Sequence, residues 1–301
     1  MRSVIRRPLG DGASVRQLAA HHLNRLYYSL RNPGGYNTSG TGVFAEDWDT
    51  LVILDACRYD YFEEQSTLDG TLESRISRAS ATREWVHANF TDRRLHDVVY
   101  VSANPNYRKV ADGIGAEVHA YIDVWQDDNL VGDQNTIVPP ETVTEHALDA
   151  AEQYPNKRLL VHYVQPHYPF IGPTGEEHFD PAATLKEVSQ EYDLTGGLLD
   201  RAYRENLDVV LDEAERLLDA LDGKAVVSAD HGELLGERLS PLPLRAYGHP
   251  NGVYVEELVK VPWLVHVNGK RKEFMAESPA ERDGVDDDAL EEQLRNLGYV
   301  T

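Results

Sequence analysis

The chain reads as an α/β fold, a mostly parallel central sheet with helices on both faces, and three observations predict it. Short apolar runs recur at 51–54, 98–102, 117–122, 158–164, 224–228 and 261–266. Stretches of helical periodicity lie between them at 82–90, 140–153 and 196–221. Strand-length runs alternating with helix-length segments are the pattern of parallel strands joined by crossover helices, and such a sheet is covered on both faces. The third observation is where two of the runs end. Leu51-Val52-Ile53-Leu54 runs into Asp55, and Ala225-Val226-Val227-Ser228-Ala229 runs into Asp230-His231-Gly232-Glu233. In open α/β sheets, ligands bind beyond the carboxyl ends of the strands, so both acids point to one edge of one sheet.

Taken in order, the segment 15–30 has helical periodicity and carries Leu23, Leu26, Tyr27, Tyr28 and Leu30. A helix packed on the domain is preferred here over a membrane-surface anchor, although its arginines suit the second role. Asn, Pro, Gly, Thr and Ser cluster at 31–48 and mark a loop. Residues 1–44 are therefore read as an N-terminal helix and loop, and 45–301 as one catalytic-type domain. The long pattern at 196–221 gathers Leu198, Leu199, Ala202, Val210, Leu211, Ala214, Leu217 and Leu218 on one face. Ala276 to Asp288 is acidic, holds Pro279 and reads as a solvated linker before a short closing helix at 289–297. Loops are expected at 103–137, 165–195 and 234–250.

Acidic residues number 51 against 29 basic ones, a net charge of −22. Nucleic-acid binders carry a positive footprint, so that class is excluded, and simple adsorption to an anionic membrane face is disfavoured. Excess Asp and Glu with little Lys is the composition expected of a protein working in concentrated salt, where self-repulsion is screened. Cys57 is the single cysteine, which rules out an intramolecular disulfide. No apolar run reaches 18 residues, Met1 to Pro8 lacks the apolar core of a signal peptide, and a cytoplasmic location is expected.

Five pieces stand in a recognisable order: Leu51 to Asp60, Ser80-Ala81-Thr82-Arg83-Glu84-Trp85, Gln165-Pro166-His167-Tyr168-Pro169-Phe170, Asp230 to Glu233, and Gly248-His249 followed by Val261-Pro262-Trp263. The tail Leu294 to Tyr299 follows in the same order. With these pieces the chain resembles the alkaline phosphatase superfamily, in particular its sulfatase-like branch, over roughly residues 45 to 300.

The resemblance implies a divalent-metal enzyme. Asp55, Asp230 and His231 match metal ligands, with Thr82 as fourth ligand and nucleophile at the start of a helix. A helix N-terminus offers unpaired N–H groups to an anionic phosphoryl or sulfuryl group, and a metal would lower the pKa of the hydroxyl. By local rules alone Thr82 is a helix cap, and Ser80 is the fallback nucleophile two residues away. Carboxylate, imidazole and hydroxyl donors favour Mn or Zn, and also accept Mg or Ca. His167 and His249 match positions that contact the substrate, as second-metal ligands, leaving-group acids or donors to phosphoryl oxygens. Arg58 reads either as a charge clamp for the substrate or as a structural ion pair with Asp60 or Glu63, and Lys260 as an ordinary surface residue. His162 is left open, whereas His21, His22, His87, His96, His119 and His178 are assigned to structure or surface. No acid stands near His162 and His167 at the spacing of a two-zinc site, so one metal is favoured over two.

Sulfatases proper oxidise a Cys within Cys-x-Pro/Ala-x-Arg, whereas Cys57 is followed by Arg58-Tyr59-Asp60 and reads as a packed thiol. The expected activity is therefore hydrolysis or transfer of phosphate-type esters through Thr82. The substrate is read as a small-molecule, lipid-linked or glycan-linked anionic ester. Sulfate-ester hydrolysis, transfer of phosphoglycerol or phosphoethanolamine at a membrane, and a catalytically silent scaffold are the rival readings.

Overall fold

Strand β1 (Thr50–Asp55) is buried along its whole length, as the central strand of a covered parallel sheet must be. The computed structural model describes residues 15–127, 137–181, 183–191, 197–280, 284 and 286–297. The further strands are β2 (Thr71–Ile76), β3 (Arg94–Ser102), β4 (Glu117–Asp123), β5 (Arg158–Pro166), β6 (Gly223–Ser228), β7 (Leu234–Arg238), β8 (Arg245–Gly248) and β9 (Lys260–Asn268). Helices α1 (Val15–Arg31), α2 (Tyr59–Gln65), α3 (Thr82–Phe90), α4 (Asn106–Val110) and α5 (Pro140–Gln153) are followed by α6 (Pro173–His178), α7 (Leu185–Glu191), α8 (Leu198–Ala220), α9 (Glu256–Val259) and α10 (Asp287–Asn296).

Seven strands form one sheet in the order β2-β9-β6-β1-β5-β3-β4, and β7 pairs with β8 apart from it. Strands β6, β1, β5, β3 and β4 run parallel. Strand β9 is antiparallel to β6, and β2 is antiparallel to β9. The α/β architecture expected from the alternating runs is thus present, with an antiparallel margin.

Side chains alternate across β1 and build two cores. Val52 and Leu54 pack with Val161, Ala147, Leu207 and Val210 under α5 and α8. Leu51 and Ile53 face the other way, with Trp85 and Phe90 of α3. Helix α8 holds the first core with Val210, Leu211, Ala214, Leu217 and Leu218 buried, each large side chain contributing about 1.5–3 kcal/mol of apolar transfer energy. Helix α1 is attached far more lightly. Asn24 is its fully buried side chain among those described, bonded through both amide atoms to the Leu242 backbone at 2.9 Å, and Tyr28 meets the Tyr254 ring edge-on.

The sequence reading missed several elements for identifiable reasons. Strand β2 pairs with β9 alone and is mostly exposed, so Thr71-Leu72-Glu73-Ser74-Arg75-Ile76 has no buried face to create a period. Strands β7 and β8 lie in the segment expected as the 234–250 loop, and α6 and α7 in that at 165–195. Strand β3 starts at Arg94, ahead of the apolar run, because Arg94 and Leu95 pair with Glu117 and Val118 of β4 before the register shifts. Two described residues of the acidic segment read as a solvated linker are tied to the fold: Glu277 N–H donates to the His96 carbonyl, and Ala280 N–H donates to the His119 carbonyl. Met1 to Pro8, the nearby Asp11, and Gly298-Tyr299 of the tail lie outside the described residues. Among the described residues no helix is long and apolar enough to cross a membrane.

Candidate metal and nucleophile site

The carboxyl ends of β1, β5 and β6 meet at one edge, and the turn after β1 is built to hold its acid there. Ala56 takes a left-handed φ of 60°, unusual for a residue with a side chain, and the contacts around it explain the strain. Its N–H donates to Asp230 Oδ1 at 3.1 Å, and its carbonyl accepts the Tyr203 hydroxyl at 2.8 Å. The same Tyr203 oxygen accepts the Arg58 N–H at 3.0 Å. On the β6 side Gly232 is required for packing, since a Cβ there would meet the Glu257 carbonyl at 2.1 Å.

Asp55, Thr82, Asp230 and His231 are all completely buried and come together. Thr82 is the first residue of α3, and the extended Ala81 before it takes the cap position. The Thr82 hydroxyl lies 3.4 Å from both Asp55 oxygens and 3.3 Å from His231 Nε2. Local rules expected Thr82 as the cap; that position falls to Ala81, and the Thr82 hydroxyl lies in the acid cluster. Ser80 is engaged elsewhere: it bonds Glu84 at 3.2 Å and the Pro250 carbonyl at 3.1 Å, and accepts from Gly252 N–H at 2.9 Å.

His231 Nδ1 stands 2.9 Å from the Gly232 carbonyl. A carbonyl only accepts, so Nδ1 carries the proton and the Nε2 lone pair faces Asp55 at 3.5 Å and Asp230 Oδ2 at 3.3 Å. Asp230 Oδ1 is satisfied by the N–H groups of Ala56 and His231, whereas Oδ2 has no hydrogen-bond partner. Asn104 donates to Asp55 Oδ2 at 2.7 Å.

His162, left open by sequence, belongs to this cluster. Its Nδ1 meets the Tyr100 hydroxyl at 2.8 Å, and its Nε2, buried without a hydrogen-bond partner, points at Asp55 Oδ2 (3.9 Å) and Asp230 Oδ2 (3.8 Å). Burial pushes its pKa down to about 4, against the pull of Asp230, and keeps the ring neutral, the form that binds metals. Donors bound to one ion at about 2.0–2.2 Å stand roughly 3–4 Å from each other. The distances from the Thr82 hydroxyl and the two imidazole Nε2 atoms to the facing donors, 3.3–3.9 Å, lie in that range, and the orphaned Asp230 Oδ2 and His162 Nε2 face inward, so the cluster fits a divalent cation.

A second group adjoins the first. His167 and His249 approach through their Nε2 atoms at 2.8 Å, and Glu233 lies close enough for the three to share an ion. The His249 ring lies 4.6 Å from that of His231, so the two groups share a wall. Burial and the neighbouring His231 push the His167 pKa down to about 4, and the same causes hold His249 well below the usual imidazole range. Burial also raises the Glu233 carboxyl well above the ordinary range, with Asp230 and Glu237 adding to it and Arg58 opposing. The acid that sequence spacing did not supply for His167 comes from after β6, across the fold. Asn206 of α8 fixes the His167 loop, donating to the Pro166 and His167 carbonyls at 3.1 Å and accepting Ile171 N–H at 2.9 Å.

Arg58 is 6% exposed and turns to its own neighbours. It makes a forked pair with Asp60 at 2.9 and 2.6 Å, reaches the Glu233 carbonyl at 3.3 Å, and pairs with Glu237. These contacts match the ion-pair alternative for Arg58, with Glu237 as the partner not anticipated. Cys57 is a buried thiol whose pKa burial raises well above the usual value. Lys260 sits over the Tyr59 ring and pairs with Glu256 at the surface. Beside the His167 loop lies a pocket of about 290 Å³, lined by Ile137, Pro139, Tyr168, Phe170, Glu176 and Phe179 among others.

No family model matches the chain, and no curated protein matches it by sequence. Solved structures with a similar fold include the C-terminal periplasmic domain of phosphoethanolamine transferase EptC from Campylobacter jejuni, at 14% identity over 72% of this chain and 78% of that one, with a TM-score of 0.44. The phosphonate monoester hydrolase of Agrobacterium radiobacter shares 13% identity over 72% and 67%, with a TM-score of 0.46. The lipoteichoic acid synthase LtaP from Listeria monocytogenes shares 13% over 81% and 69%, with a TM-score of 0.45. At these values the likeness assigns this chain neither a reaction nor a substrate. These structural neighbours are members of the alkaline phosphatase superfamily, the one whose motifs the sequence resembles.

Proposed function

We propose that the protein is a metal-dependent hydrolase or transferase of phosphate-type esters with Thr82 as the nucleophile. The observation that carries this reading is the placement of the Thr82 hydroxyl at the N-terminus of α3, 3.3–3.4 Å from Asp55 and His231. Asp55, Thr82, Asp230 and His231, joined by His162, would hold a divalent cation, Mn or Zn by donor type, with Mg and Ca also accommodated. Such an ion supplies positive charge that lowers the hydroxyl pKa and balances the oxygens of the transferred group.

The chain's own groups do the remaining work. The first N–H groups of a helix lack intrahelical partners, so the start of α3 receives the anionic oxygens. Thr82 Oγ1 bonds to phosphorus as the bond to the leaving oxygen breaks, and the hydroxyl proton balances the departing alkoxide, which leaves as the alcohol. Water or an acceptor alcohol then attacks the phospho-threonine and restores Thr82. His167 and His249, neutral at physiological pH, serve as hydrogen-bond partners of the phosphoryl and leaving oxygens. The pocket lined by Tyr168, Phe170 and Glu176 receives the organic portion of the ester. The buried Cys57, two residues after Asp55 and without an oxidation motif, favours phosphate over sulfate esters.

The test is turnover of an aryl phosphate monoester, a phosphodiester and a sulfate ester, at high salt with Mn, Zn, Mg or Ca, for wild type and Thr82→Ala. Phosphate-ester turnover that Thr82→Ala abolishes while metal binding persists supports the proposal. Sulfate preference, or turnover that survives Thr82→Ala, refutes it.

A further inference from the structure

Helix α1 presents a face that the fold does not use. Asn24 and Tyr28 attach it to Leu242 and Tyr254, while Leu23, Leu26 and Leu30 are 53%, 52% and 76% exposed. At about 100° per residue, these leucines fall within roughly 60° of arc and form one stripe. Among the described residues five large hydrophobic side chains are more than half exposed, and three of them lie within these eight positions. A clustered apolar patch marks a contact, where scattered exposed leucines do not.

Charge identifies the contact. Residues 1–31 hold six arginines and one acid, Asp11, a local +5 in a chain whose total is −22. Helix α1 itself, VRQLAAHHLNRLYYSLR, has no Asp or Glu. Beside the stripe, the Arg31 guanidinium lies 3.9 Å from the Tyr27 ring centre, so a cation and an amphipathic aromatic flank the leucines. Apolar stripe, arginine and tyrosine on one short helix match the apolar and anionic layers of a lipid surface. The rest of the chain is too acidic to approach such a surface unaided.

We propose that α1 seats the protein on an anionic lipid surface, with Leu23, Leu26 and Leu30 among the acyl chains and the arginines at the headgroups. The attachment is placed to matter for the site. Leu242 lies between β7 and β8 in the hairpin that leads into His249, and Tyr254 donates its hydroxyl to Glu84 of α3, the helix that begins with Thr82.

Sedimentation of the full chain with vesicles tests this, using phosphatidylglycerol–phosphatidylcholine mixtures against phosphatidylcholine alone. Binding to the anionic vesicles is expected, at least about tenfold weaker for phosphatidylcholine alone and for Leu26→Glu/Leu30→Glu. Thermal melting of that variant should match wild type, since both positions are exposed. Absence of vesicle binding by wild type, or equal binding by the variant, overturns the proposal. So does a concentration-dependent dimer, seen by light scattering and dissolved by the same two substitutions, without vesicle binding: the stripe would then be a contact between two copies. Each outcome is read from sedimentation or mass, so it stands apart from whether Thr82 is the nucleophile.

Discussion

The two ends of β1 each bury an aspartate, and they treat it in opposite ways. At the start, Asp49 accepts the Arg271 Nε at 2.8 and 2.7 Å and the Lys224 N–H at 2.8 Å, and Asp47 takes the other arm of the same guanidinium. At the finish, Asp55 and Asp230 face the imidazoles of His162 and His231. A buried carboxylate is tolerated when a cation and hydrogen bonds offset its lost hydration. The first end carries that cation on its own side chain. The second gathers carboxylates and lone pairs on one point, an arrangement that makes physical sense around an ion from solution. One end of the strand is therefore read as structure and the other as chemistry.

The largest expected effect lies at the second end. Thr82→Ala should lower kcat/KM for a phosphate ester by at least about 10³-fold, with metal stoichiometry retained in a chelator competition. His162→Gln should weaken metal affinity by about 10–100-fold, read from the same competition; unchanged affinity would place His162 outside the ligand set. At the first end, Arg271→Ala should cost about 1–3 kcal/mol in denaturant unfolding and leave metal affinity unchanged. This figure is discounted because the Arg271 side chain is 43% exposed, although Asp49 is fully buried. An Arg271→Ala protein that loses metal would erase the contrast between the ends.

The smallest effect concerns Glu233. Its folded-state pKa is raised by burial, so the stability tied to its proton is fully present below the ordinary glutamate value of about 4.3. That stability is lost as pH rises from there through the raised folded value. In the presence of a chelator, Glu233→Gln should melt several degrees above wild type at pH 8 and about level with it at pH 4, as followed by circular dichroism. A gap of equal size at both pH values would show that titration of Glu233 is not its source.

Legibility in the sequence followed locality. Asp55, Asp230 and His231 were readable because each follows an apolar run directly, and a strand's end is a local property. Thr82 was readable as a helix start, yet only the fold shows its hydroxyl beside Asp55 and His231. His162 was opaque. It lies inside β5, where its direction depends on the register that sets it beside Ile53 of β1 and Ser102 of β3. Glu233 was visible beside His231, but its partners His167 and His249 arrive from the end of β5 and from beyond β8. Strand β2 was silent because an exposed edge strand has no buried side to impose a period on its residues.

The sequence by itself determined the α/β class, the central strands, the helices α3, α5 and α8, and the acids at the ends of β1 and β6. These follow from hydrophobic periodicity and chain order, which act over a few residues. Only the tertiary structure decided which donors meet: that His162 turns toward Asp55 and Asp230, that Glu233 joins His167 and His249, that Arg58 is taken by Asp60 and Glu237, and that the leucines of α1 face outward. A side chain's partners depend on strand order, register and packing, and those are set by contacts between segments far apart in the chain.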